Sequence, residues 1–563
     1  MECSVSITSE DYVDYIVEYN GDPEPLRDYY RDDCLIIIDN RFAVVYRRIP
    51  ADYMLSFSRQ AYSLYPKVYG LMDTTSMEEI GVINIQRENV LGLTGRKTLI
   101  GIVDTGIDIN NSLFQGVAGQ TRILAAWDQS EEYTGTAGFS YGREYSREEI
   151  QAAIDNGEQI LRDNTGHGTF LAGIAAGSRT TDFTGVAPEA ELVVVKLKEA
   201  KQNLRNLYGI PLDVAAYSEI DIMLGIAYIL NVSNQYDMPV SILIGLGTNS
   251  GSHTGASALE AYINSIGILK GRAISVSAGN EGVAGHHFMG NVIENESYDT
   301  IEINVTNNDS FTLEIWGQVP NIYSVALEIP GGEYIERIPP RFDRSERIRP
   351  IFGGGEVFVD YFLVEDSSGQ ELIMMRFFKP QNGLWRIRIY ATGDTEKRYD
   401  AWLPISDFLS YETRFIKPTP DSTLTNPATA ETAICIGAYN HNNRSLYLES
   451  SRGFTADNRI KPDLVAPGVE VYGPGRLGDF VRRSGSSVAA AHGAGCAALM
   501  LQWSLESMAQ EYINGNQIRQ YLIRGAERPG VREGIFDIRT YPNKEWGWGL
   551  LNINNTFEAL RNV

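Results

Sequence analysis

Short apolar runs with almost no polar interruption recur at residues 98–103, 192–196, 241–246 and 273–276. That pattern belongs to parallel strands covered on both faces, where alternation is lost because neither face meets water. A helical periodicity over 215–230 separates two of these runs, so residues 74–297 predict βαβ units and an α/β layer architecture. The same signal returns after Pro418 and Pro420, with an apolar run at 433–438 and a long helix of small residues beginning near Ser487. Residues 417–563 are therefore read as the second part of the same α/β domain.

Between these parts the period changes. Strand-like runs at 300–305, 310–316, 323–329, 356–364, 372–378 and 384–390 are separated by turn clusters such as Asn307-Asn308-Asp309 and Pro330-Gly331-Gly332. With no helical pattern among them, residues 298–416 predict an all-β sandwich or barrel inserted in the α/β domain. The N-terminal region, 1–73, mixes strands at 15–19, 34–38 and 42–46 with helices at 23–32 and 51–59 and an extended piece near Val68. It reads as a compact α+β unit.

Charge and composition narrow the function classes. The chain carries 72 Asp plus Glu against 48 Lys plus Arg, a formal net charge of −24, which speaks against nucleic acid or an anionic membrane as the main partner. A hydrophobic share of 43% excludes wholesale disorder. The four cysteines, Cys3, Cys34, Cys435 and Cys496, are too few and too scattered for a disulfide framework or a zinc cluster. No apolar run reaches the roughly 18–20 residues that span a bilayer, so no membrane span is expected. The N-terminus lacks a basic stretch followed by an apolar one, so no signal peptide is expected either.

Three glycine-framed segments carry candidate chemistry. Asp104 ends an apolar strand and is followed by Thr105-Gly106, placing a carboxylate where open parallel sheets put ligands and catalysis. His167 sits between Gly166 and Gly168 at the head of an alanine-rich helix, with little steric cover. Ser487 lies at the mouth of a small-residue helix, where the dipole and free N–H groups favour developing negative charge. A lone serine there is more commonly an N-cap, and a lone loop histidine is often merely exposed. Together, in the order Asp, His, Ser, the three resemble the subtilases, the subtilisin-like serine proteases. The segments 185–188, 277–282 and 461–468 resemble that family as well; Ser486 departs from it, standing where the family usually has threonine.

The resemblance implies a subtilisin-like parallel sheet with helices on both faces. It implies that Ser487 is the nucleophile, His167 its base, Asp104 the orienting carboxylate and Asn280 the oxyanion-hole donor. It also implies that Gly245-Leu246-Gly247 form a wall that pairs with substrate as a β-strand. Asp108 is expected to be structural. The adjacent His286 and His287 make an improbable metal pair, and no cofactor is expected, with calcium left open but unsupported. Residues 177–185 do not match the loop that carries the family's calcium site.

A finer resemblance is to the Csp subtilases of clostridia, the spore-germination proteases. It rests on the segment Tyr15 to Asp22, the β insertion, and Ser487-Val488-Ala489-Ala490-Ala491. This implies a retained prodomain over 1–73, an inserted jelly-roll domain, a protein substrate that is itself a pro-enzyme, and a bacterial cytoplasmic or spore-associated location. It also implies self-cleavage near residues 70–76, with the Met72–Asp73 and Thr75–Ser76 bonds as candidates. Two rival readings stand beside the protease. One is a subtilase-fold sensor whose triad is blocked; the other is a glycan-recognising protein in which the β insertion leads.

Overall fold

The computed structural model describes residues 4–50, 60–71, 79–87, 91–116, 118–132, 138–294, 296–341, 345–351, 354–507, 511–529 and 540–561. The expected helix at 51–59 and both candidate self-cleavage bonds lie outside these residues.

The four uninterrupted apolar runs become neighbouring strands of one large sheet. Its order is Ser445–Leu446, Ile434–Asn440, Arg272–Ser277, Val240–Ile244, Leu99–Asp104, Glu191–Lys196, Ile123–Asp128 and Arg143–Ser146, with Leu464–Pro467 also paired to Ile434–Asn440. The interior pairs are parallel and the two ends of the listed order are antiparallel. Side chains alternate between two separate cores. Ile100 and Ile102 join the core that holds the helices His167–Ala176 and Ser486–Ser507. Leu99 and Val103 face the helices Glu219–Gln235 and Ala258–Gly267. Burial on both faces is why these strands read as continuous apolar runs.

Among the described residues, Ser486–Ser507 is the one helix long and apolar enough to cross a membrane, and 89% of its apolar window is buried in this core. Its alanines and glycines let it lie close on the sheet. Ser275 Oγ and Ser241 Oγ donate to its Ala490 and Ala494 carbonyls, both at 2.8 Å. Cys435 and Cys496 are free and buried, whereas Cys34 is disulfide-bonded.

The N-terminal unit is a three-stranded antiparallel sheet, Tyr12–Glu18, Phe42–Arg48 and Cys34–Ile37, with Phe42–Arg48 in the middle. Its helix, Glu24–Tyr29, is shorter than the pattern predicts and buries no residue. Ile16, Ile36, Phe42, Val44 and Tyr46 extend the core over the helices Glu219–Gln235 and Ala258–Gly267. Phe42 meets Tyr262 edge-on at 6.3 Å.

The insertion forms two antiparallel sheets, six-stranded and five-stranded. Ile301, Leu313, Val325, Val359, Ile373 and Ile387 fill the core between them. Its first strand, His287–Asn291, precedes residue 298 and pairs with Arg398–Trp402 at the edge of the six-stranded sheet. Glu314, Trp316, Leu372, Met374 and Trp402 are also buried; the apolar four pack with Leu204 and Tyr208 of the α/β domain and Tyr62 and Tyr65 of the N-terminal unit. The three parts thus share one buried junction.

Glu371 is a strained point in the insertion. Its buried carboxylate accepts one hydrogen bond, from Tyr323 N at 2.9 Å, and burial pushes its carboxyl up to about 8. A folded-state value above the ordinary one means that the folded chain holds a proton the unfolded chain has released. The contribution to stability is therefore full at acid pH and declines as pH rises towards 8. Melting curves at pH 5 and pH 8 should show a loss in the wild type that Glu371→Gln reduces; equal pH slopes in the two proteins would contradict this.

Candidate active site

Asp104 ends the strand Leu99–Asp104, and its carboxylate is held by Thr105, whose N–H donates to Oδ1 at 2.8 Å. His167 is the first residue of its helix, after Gly166 in the left-handed conformation at φ 76°. Its Nδ1 lies 2.8 and 2.9 Å from the two Asp104 oxygens, so that nitrogen carries the proton and donates. Its Nε2 lies 3.3 Å from Ser487 Oγ. All three side chains are buried. Gly168 permits this approach, since a Cβ there would come within 2.2 Å of the Gly106 carbonyl oxygen.

Ser487 is the second residue of the helix Ser486–Ser507. Ser486 beside it has two tasks: its Oγ accepts from Gly279 N at 3.1 Å, and its N–H donates to Asn280 Oδ1 at 3.0 Å. With Oδ1 engaged, the Asn280 amide turns its NH2 end away from Ser486. Serine supplies the hydroxyl that the expected threonine would, so the departure at this position keeps the hydrogen bond. Gly245 sits directly over the pair, and a Cβ there would stand 3.1 Å from Ser487 Cβ and 3.2 Å from His167 Cε1.

The structure brings Asp104, His167 and Ser487 into one hydrogen-bonded line and sets Asn280 and Gly245 beside it. Leu246–Gly247 forms a short strand, and its partner is the chain itself. Val68–Leu71 runs antiparallel between Leu246–Gly247 on one side and Tyr217–Ser218 on the other. Gly70 lies opposite Gly247 and Leu71 opposite Leu246, so this strand advances towards Ser487.

Asp163 is a contributor that its sequence context does not announce. Its buried carboxylate accepts from Gly166 N, Thr169 N, Thr169 Oγ1 and Thr105 Oγ1, each at 2.8 Å. It therefore caps the His167 helix and ties that helix to the Asp104 turn. Asp108 has the structural role expected of it: its N–H donates to Thr169 Oγ1, and its carboxylate accepts from Asn110 N. His286 and His287 point at different carboxylates, Glu281 at 2.6 Å and Asp400 at 3.0 Å. Among the described residues, no group of three or more His, Cys, Asp or Glu is arranged to hold a metal.

Residues 177–185 also fail as a calcium site on donor chemistry. The Gly185 and Val186 carbonyls accept from Gln86 Nε2 at 3.0 and 2.9 Å, and Arg179 donates to Gln86 Oε1 at 2.5 Å. A guanidinium and an amide satisfy oxygens that a cation would need, and Asp182 is the single carboxylate in the segment.

Residues 95–326 and 365–549 match the Subtilase family. The chain is similar to the C5a peptidase of Streptococcus pyogenes, at 21% identity over 72% of this chain and 35% of that protein. It is also similar to mycosin-3 of Mycobacterium tuberculosis, at 31% identity over 22% of this chain and 27% of that protein. It spans only a minor part of the length of either relative. In three dimensions it is similar to the CspB protease of Clostridium perfringens, with a TM-score of 0.75 at 29% identity, covering 86% of this chain and 97% of that chain.

The arrangement at Gln86 makes a prediction about calcium. EDTA and added calcium should leave the melting temperature unchanged, whereas Gln86→Ala should cost about 1–3 kcal/mol by removing the side-chain donor of the buried Val186 carbonyl. A melting temperature that rises with calcium would contradict this reading.

Proposed function

The chain belongs to the subtilase family, and we propose that it is a serine endopeptidase working through Ser487, His167 and Asp104. The observation that carries this reading is His167 held between the Asp104 carboxylate and the Ser487 hydroxyl. Ser487 Oγ attacks the scissile carbonyl while His167 Nε2 takes its proton and then returns it to the leaving amine. Asp104 fixes the imidazole and stabilises its charged form. The Asn280 NH2 and the Ser487 N–H hold the tetrahedral oxyanion; removing one such donor costs about 10²–10³ in rate. The substrates are proteins or peptides, bound as an added β-strand along Gly245-Leu246-Gly247.

In this reading residues 1–73 are a prodomain, cut near residues 70–76 by the chain's own triad and retained afterwards. Val68–Leu71 in the cleft supports the first point, because a strand already placed beside Ser487 makes the cut effectively unimolecular. Retention is supported by contacts that do not depend on the cut bond. Glu10 accepts from Gln202 N at the start of one helix, and Asp14 pairs with Lys201 at 2.6 Å. Tyr62 donates to the buried Glu314 at 2.6 Å. The likeness to the CspB protease supports a pro-enzyme substrate and a germination role in a bacterial cytoplasm or spore. The same cleft strand also favours a second reading, a subtilase-fold sensor kept blocked by its own N-terminal unit.

N-terminal sequencing of the purified wild type and of Ser487→Ala separates the two. The protease reading expects two co-purifying fragments with a new N-terminus near residues 71–76 in the wild type, and one uncut chain in the variant. An uncut wild type would favour the blocked sensor.

A further inference from the structure

We propose that Glu281 is a positioning residue for hydrolysis: its carboxylate clamps the loop that carries the oxyanion donor Asn280 to the substrate-binding wall, and the β insertion holds that clamp closed. This assignment rests on the serine endopeptidase reading.

Three separate segments meet at this carboxylate. Glu281 directly follows Asn280 and is only 3% exposed. Its Oε2 accepts from His286 Nδ1 at 2.6 Å and from Asn249 Nδ2 at 3.4 Å. Asn249 stands two residues beyond Gly247, on the wall along which a substrate strand pairs. The other oxygen, Oε1, accepts from the Ser406 N–H at 2.9 Å and from the Ser406 hydroxyl at 2.8 Å. Ser406 belongs to the insertion. Leu403, three residues earlier in the insertion, adds two bonds around the clamp. Its carbonyl accepts from Asn249 Nδ2 at 3.0 Å, and its N–H donates to the His286 carbonyl at 3.0 Å.

A buried carboxylate persists as an ion only where donors replace its lost water. Burial pushes the Glu281 carboxyl up, but the His286 imidazole and the Ser406 donors outweigh burial and hold it below its ordinary value. Hydrogen bonds to an ionised acceptor are the strong ones, so the clamp is stiff.

Its stiffness bears on the chemistry through spacing. The backbone around Asn280 is tied to residues 449–451: the Gly279 carbonyl accepts from Ser451 N at 2.8 Å, the Glu281 N–H donates to Ser451 Oγ at 3.0 Å, and the Gly282 N–H donates to the Glu449 carbonyl at 2.9 Å. The Glu281 side chain ties the same loop to the wall. A substrate is held by the wall and its oxyanion by the Asn280 NH2, so a change in the spacing between loop and wall moves the donor off the oxyanion. The insertion reaches the catalytic centre at this point, since Asp407, next to Ser406, is near enough to both Glu281 and His167 to interact with their charges.

The test measures kcat and KM on the full chain with a quenched peptide copying residues 66–80, for the wild type, Glu281→Gln, Asn280→Ala and the double variant. Glutamine keeps the size of the side chain but gives up its charge and sets an NH2 group against a donor. Glu281→Gln should lower kcat about tenfold with KM little changed, because the oxyanion donor is displaced rather than removed. With Asn280→Ala in place there is no donor left to displace, so adding Glu281→Gln should lower kcat no further. Ser406 is exposed, and Ser406→Ala takes away its hydroxyl donor without opening the core. That variant should show the same pattern at about threefold, and it decides the matter if Glu281→Gln does not fold. A merely structural role would lower kcat by the same factor with and without Asn280, and such additivity would overturn the proposal. Unchanged kcat in Glu281→Gln would overturn it as well. In both cases hydrolysis by the wild type leaves the serine endopeptidase reading standing, whereas no hydrolysis by the wild type would overturn the two together.

Discussion

Everything at this site depends on how closely two helices approach the carboxyl ends of the parallel strands. Asp104 is fixed by its strand, so His167 and Ser487 must be carried to it by the helices they begin. Gly168 allows one approach, and Asp163 holds it by capping that helix and bonding to Thr105. The alanine-rich face of Ser486–Ser507 allows the other, and Ser241 and Ser275 pin it to the sheet. A larger residue at either contact would move an imidazole or a hydroxyl by more than a hydrogen bond tolerates.

Beside the triad the chain lays a strand of its own backbone. Val68–Leu71 is hydrogen-bonded on both edges, as a substrate strand would be. The unit that delivers it is held by an apolar sheet face over two helices, by buried ion pairs, and by Tyr62 reaching the insertion. Glu219 joins these layers: its N–H donates to the Lys67 carbonyl, while its carboxylate accepts from Lys67 N and Leu259 N. The insertion touches both neighbours at this junction: Glu314 and Trp316 of one sheet receive Tyr62, and Glu314 also accepts from Gly251 N of the α/β domain.

Much of this was legible in the sequence, for identifiable reasons. Parallel strands announce themselves because burial on both faces removes polar residues, and turn clusters mark a sandwich because each reversal needs them. Asp104, His167 and Ser487 were legible because close backbone approach demands glycine or alanine around them. Asp163 was not, because its role is created by Thr105, 58 positions away, and a loop aspartate looks the same with or without such a partner. The strand His287–Asn291 was missed as the sandwich's edge because it is short and its partner, Arg398–Trp402, lies far along the chain.

The central claim is that Ser487 is a nucleophile made reactive by His167. Covalent labelling with a small fluorophosphonate, read by mass spectrometry of the labelled peptide, tests it most directly. The account predicts a single adduct on Ser487 that disappears in His167→Ala. No adduct on Ser487, or one that forms as fast without the imidazole, would contradict it.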